Sequence, residues 1–171
     1  MKSLILSLFI IIGSSMAAFA QEDAIMKYFS KYVDDTRFSA VYISPKMFNM
    51  VSKIEIEDME PEVQEVIRSM KGLRILHTEQ NALQYYNEAL KTISTKDYEL
   101  LLTARDNGEN IRFMVKDNGD IVEELLMLVG GEKNFALLSF LGNIDLKKIG
   151  KLAKALDIDN LQYLDKLDQK H

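Results

Sequence analysis

Residues 97–142 read DYELLLTARDNGENIRFMVKDNGDIVEELLMLVGGEKNFALLSFLG, and they decide the fold. Asp-Asn-Gly occurs twice, at Asp106–Gly108 and Asp117–Gly119. A calcium loop needs oxygen ligands at alternating positions, a central glycine and a distant glutamate. Neither copy has that order, because glycine comes third and apolar, strand-like residues follow at once. Asn-Gly is instead the strongest short signal for a tight β-hairpin, since both central residues of such a turn take positive φ.

With Asn107-Gly108 at the tip, Ala104 opposes Ile111, Leu102 opposes Phe113 and Leu100 opposes Val115, all on one face. On the other face Thr103 opposes Arg112 and Glu99 opposes Lys116, leaving Leu101 and Met114 as apolar exceptions. One register satisfies nearly every residue, as a hairpin with one buried face requires. The second turn, at Asn118-Gly119, fits less well. The same construction sets Val122 against Val115 and Glu124 against Phe113, on the parity of Leu126 and Leu128. A buried, unpaired carboxylate is costly. The expectation is therefore a β-bulge near Glu123–Glu124, or a place for Glu124 at the sheet rim. The glycine pair in "GGEKN" precedes a strand, "FALLSFL", and not the helix that a phosphate loop requires.

Upstream, "EDAIMKYFSKYVDD" places Ile25, Phe29, Tyr32 and Val33 on one helical face. "RFSAVYIS" predicts a buried strand, and Ser44-Pro45 opens a short helix containing Met47, Phe48, Met50 and Val51. Glu55, Glu57, Asp58, Glu60, Glu62 and Glu65 form an acidic stretch without calcium-loop spacing. Acids around Pro61 suit the start of a helix, so no metal is assigned. In that helix Val63, Val66, Ile67 and Met70 share a face, and Gly72 is its expected stop. "LRILH" predicts a second strand, then a helix capped by Thr78 with Leu83, Tyr86, Leu90 and Ile93 inward. The chain closes on a stripe of Leu146, Ile149, Leu152 and Leu156, with Lys147, Lys148, Lys151 and Lys154 largely outside it. The expected fold is a single α+β domain of mostly antiparallel sheet. Its C-terminal half holds a four-strand meander, and its helices pack mainly on one face.

The first residues, MKSLILSLFIIIGSSMAAFA, show a positive start, a short apolar run and a small-x-small end at Ala18-Phe19-Ala20. This is the pattern of a cleaved secretory signal. Residues 1–20 are expected to leave, and 21–171 to form the domain. The chain has no cysteine, which excludes disulfides, thiolate metal sites, thiol catalysis and a lipid-anchored cysteine. An exported location, periplasmic or extracellular, and not that of a lipoprotein, follows. The net charge of −5 gives no basic footprint for nucleic acid.

The stretches "AVYISPKMF", "RFMVKD", "ELLMLVGG" and "GNIDLKKIGKLAKAL" resemble the secreted Bacteroidetes family catalogued as domain of unknown function 4252. Some of its members carry a lipoprotein cysteine, which this chain lacks. The resemblance carries no catalytic motif. Family genes often lie near those of extracytoplasmic-function sigma factors, which implies a link to envelope regulation.

No nucleophile elbow, zinc-protease motif, phosphate loop or dinucleotide fingerprint is present. His77 ends a predicted strand and His171 is the terminal residue. Glu123 and Glu124 would point to opposite faces of a regular strand. The expectation is a non-enzymatic binding or regulatory module without cofactor, whose partner is an envelope protein. A membrane surface ranks behind that partner. Leu101, Met114, Lys147, Lys148, Lys151 and Lys154 are the candidate partner surface, and Glu124 and His77 are left without a role. The alternatives are a periplasmic carrier of an apolar ligand and an enzyme of unrecognised type.

Overall fold

The computed structural model describes residues 24–54, 61–93, 97–119 and 121–145. Helices α1 (Ala24–Tyr32), α2 (Pro45–Val51), α3 (Pro61–Ser69) and α4 (Ala82–Thr92) accompany six strands. The strands are β1 (Ser39–Ile43), β2 (Met70–Thr78), β3 (Glu99–Asp106), β4 (Glu109–Asp117), β5 (Val122–Gly130) and β6 (Phe135–Ile144). They form one sheet in the order β1-β2-β6-β5-β4-β3, and every pairing is antiparallel. The fold is α+β, with the expected meander of four consecutive strands at one side of the sheet.

The first hairpin has the expected tip. Asn107 and Gly108 have φ of 48° and 85°, the left-handed pair that Asn-Gly accommodates. Leu102 pairs with Phe113, Thr103 with Arg112 and Ala104 with Ile111. Beyond them a register shift between Leu100 and Leu102 sets Leu100 against Met114 and Glu99 against Val115, one place away from the simple construction. Such a bulge relieves the conflict of three consecutive leucines on a strand that has only one inner face.

The second hairpin slips by three residues. Val115 meets Leu125, Lys116 meets Glu124 and Asp117 meets Val122. Two causes add. The Asn118 amide donates to the Ile121 carbonyl at 3.2 Å, so the hairpin closes between these two residues and not around Asn118-Gly119, and Glu123 is an extra residue of β5 against β4; against β6 the extra residue belongs to β6, at Gly142–Asn143. The bulge was expected, but it does not bring Glu124 to the surface.

Apolar layers lie on both faces. On one, α1 and α4 contribute Ile25, Tyr28, Phe29, Tyr85, Tyr86 and Ala89 over Leu76, Met114, Leu126, Leu128 and Leu137. On the other, Phe48 of α2 and Val63 and Val66 of α3 belong to the layer with Phe113, Leu125, Met127 and Phe140. The central strands β5 and β6 are therefore apolar on both faces, the pattern of a strand buried twice. Gly130 is the seat of α4. A Cβ there would lie inside the Tyr86 ring, so the glycine sets how closely helix and sheet approach.

Local signals explain most boundaries. Ser44 caps α2 by accepting from the Met47 amide at 3.3 Å, with proline at the first helical position. Helix α3 ends at Ser69, ahead of Gly72, and β2 runs through that glycine. Thr78 ends β2 and does not cap α4. Its hydroxyl donates to the Arg37 carbonyl at 2.7 Å, and the residue preceding α4 is Asn81 with φ of 49°. Helix α4 is rotated from expectation: Ala82, Tyr85, Tyr86 and Ala89 are buried, while Leu83 is exposed. The two tyrosines bury larger rings than leucine would, Tyr85 against Tyr32 and Phe38 and Tyr86 over Gly130.

Candidate functional site

The residues expected to form a partner surface separate. Leu101, in the bulge of β3, is half-buried against the Phe113 layer. Met114 is 3% exposed under α1 and α4 and so offers nothing to a partner. The physical reason is that a second helix pair covers the face taken as outward. Arg112 shares that correction: its Nε is buried, and with the Tyr86 hydroxyl it has no hydrogen-bond partner among the described residues. Lys147, Lys148, Lys151 and Lys154 lie outside the described residues, as do residues 1–20 and most of the acidic stretch.

Glu124 is 4% exposed and sits on the parity of Leu126 and Leu128. Its carboxylate is well served. Tyr98 donates to Oε2 at 2.6 Å, Ser139 donates to Oε1 at 2.5 Å, and the buried Arg74 guanidinium lies 3.7 Å from Oε1. Ser139 is the β6 partner of both Arg74 on β2 and Leu126 on β5, which brings the polar groups to one place on the sheet. A buried charge is tolerated when paired and hydrogen-bonded on several sides, as here. The cluster ties β2, β5, β6 and the entry to β3 together. Glu124 stands out in the sequence as a misfit of strand parity. Its partners come from three separate segments, and only the strand order joins them.

His77 is half-buried near the end of β2, across from Ser39 and Ala136. No carboxylate, hydroxyl or second imidazole among the described residues hydrogen-bonds to it, so it forms no acid–base pair there. No group of three or more potential metal ligands occurs among the described residues. None of the described helices is long and apolar enough to cross a membrane.

Three further polar arrangements flank the aromatic layer. Tyr28 donates to the Tyr85 carbonyl at 3.0 Å, and burial pushes its hydroxyl pKa up. Lys31 of α1 and Glu88 of α4 are 2.5 Å apart, and Tyr32 also donates to Glu88 at 2.7 Å. Burial alone would raise the Glu88 pKa, but the Lys31 ammonium and Tyr32 hydroxyl bring it below the usual value. In the turn before β1, Arg37 binds Asp35 at 2.6 Å and holds its carboxyl down to about 2.

A cavity of about 320 Å³ opens where α2 meets the start of β2. Pro45 and Phe48 form its apolar wall, and Asn49, Arg68, Lys71 and Asn143 give it polar character. Both α2 and α3 end beside it, so Arg68 complements helix C-terminal carbonyls there.

Among the described residues the least protected sheet edge is β1. Its five residues, Ser-Ala-Val-Tyr-Ile, carry no charge, and its pairing with β2 is regular throughout. Val41 is 44% exposed and Tyr42 51%. Next to it, α2 turns Phe48 inward and leaves Met47 and Met50 exposed, followed by exposed Ile54. The residues of β1 carry the pattern of a buried strand. The strand becomes an edge because the meander lies entirely on the other side of β2.

These features define an α+β domain with an open antiparallel sheet, a buried polar tie and one uncharged edge. A family model described as Domain of unknown function (DUF4252) matches residues 29–152, and the chain belongs to that family. Comparison with curated proteins and with solved structures gave no match.

Proposed function

We propose that this is an exported, non-catalytic binding module that docks a partner strand along β1. The carrying observation is the contrast between that edge and ordinary edges. An exposed strand without charge, proline or bulge presents backbone groups ready to pair with another chain. Exposed Met47 and Met50 extend the apolar area beside it, and methionine adapts its shape to different partners. The secretory pattern of residues 1–20 supports an envelope location, where the partner would be a protein of that same envelope. The polar cavity at Arg68 and Lys71 gives little support to a carrier of apolar ligands.

Affinity capture from native envelope, with the tagged protein and its Val41→Lys variant side by side, tests the reading. A protein recovered by the wild type and lost by the variant supports it. A partner recovered equally by both removes β1 from the docking surface.

A further inference from the structure

We infer that the occupant of the β1 edge is a second copy of this chain, paired antiparallel about Val41. The inference rests on the edge-docking reading above and names the partner. Two antiparallel copies of a strand are related by a twofold axis, so one patch serves both subunits. A register centred on Val41 sets Ser39 against Ile43, Ala40 against Tyr42 and Val41 against its own copy. It is the one register that uses all five residues of β1, whichever set of them points its backbone groups outward.

The side chains suit that arrangement. Ala40 and Tyr42 share the face toward α1, where Tyr42 packs beside Phe29 with ring centroids 6.0 Å apart. Each exposed Tyr42 ring would lie over the small Ala40 of the other copy, twice per dimer. Val41 lies on the opposite face, opposite Ile75, and a β-branched pair at the axis favours a strand interface.

Charge is complementary at both ends. Asp34 precedes β1 and Lys46 follows it, and neither has an ion-pair partner within the chain among the described residues. The twofold brings the start of one β1 to the end of the other, and so brings Asp34 toward Lys46 of the second copy. Arg37 does not compete, because it is held by Asp35. A five-residue strand pair is a small contact, so the dimer is expected to be concentration-dependent.

Sedimentation of the purified full chain, after any processing by the cell that exports it, gives the test. Wild-type protein should show a reversible monomer–dimer equilibrium. Val41→Lys and Val41→Asp should each weaken it by at least about tenfold, since like charges then meet at the axis. An equimolar mixture of the two variants should restore dimers. That outcome requires Val41 to face Val41 and cannot come from misfolding. Leu100→Lys, at the other edge, should leave the equilibrium unchanged. A monomer at every concentration overturns the inference, as does a dimer indifferent to Val41 or a mixture that stays monomeric. If the chain is monomeric yet its capture of an envelope protein still depends on Val41, the edge-docking reading stands and only the second copy is wrong.

Discussion

The two edges of the sheet are built differently. Strand β3 carries Glu99, Arg105 and Asp106, and its ladder is broken by the bulge at Leu101. Arg105 is also engaged, donating to the Asn110 side chain at 2.9 Å. Charges and bulges of this kind discourage a further strand. Strand β1 has neither device. Since one chain contains both solutions, the bare edge at β1 is a local feature and not a general property of the sheet. The edge that belongs to the meander carries charges and a bulge, and the edge at β1 carries neither.

The largest effect should come from the layer behind β3. Phe113 is 0% exposed and pairs with Leu102, so Phe113→Ala should cost roughly 3–5 kcal/mol in chemical denaturation. An equal loss in Val41→Ala would mean that β1 is not an edge at all. Next, Glu124→Gln keeps the shape but removes the charge beside Arg74. It should cost about 1–3 kcal/mol, read from the same denaturation curves. Gly108→Val places a β-branched residue at φ of 85° and should cost about 1–3 kcal/mol, with fraying of the hairpin that carries β3. At the edges themselves, Val41→Lys and Leu100→Lys should each change stability by no more than about 0.5 kcal/mol. They should differ in sedimentation, where only the first acts.

The smallest effect concerns the backing of β1. Glu88 has a lowered pKa in the folded chain, so its link to Lys31 and Tyr32 adds stability above the ordinary carboxylate range. That contribution is lost as pH falls through the folded value. Acid unfolding of Glu88→Gln should therefore resemble wild type at low pH and fall slightly below it near neutrality. A wild-type advantage that persists in acid would contradict the assignment.

Much of the meander was legible because its signals are local. Asn107-Gly108 chose the turn, and alternation paired Leu102 with Phe113. The bulges at Leu101 and Glu123 were harder to place. They settle a competition between several apolar neighbours, and that competition is decided by what covers each face. Met114 shows the limit most clearly. Its parity was read correctly as opposite to Phe113, but whether that parity means outside depends on α1 and α4.

The sequence by itself determined most strands and helices of the described residues, the antiparallel hairpins, the absence of thiol chemistry and the misfit of Glu124. All follow from residue type and short-range periodicity. The tertiary structure alone decided the strand order, and with it three outcomes. Both faces are covered, Glu124 meets Tyr98, Ser139 and Arg74, and β1 stands at the margin. The reason is that strand order is set by contacts between residues far apart in the chain, where burial of whole faces outweighs local preference.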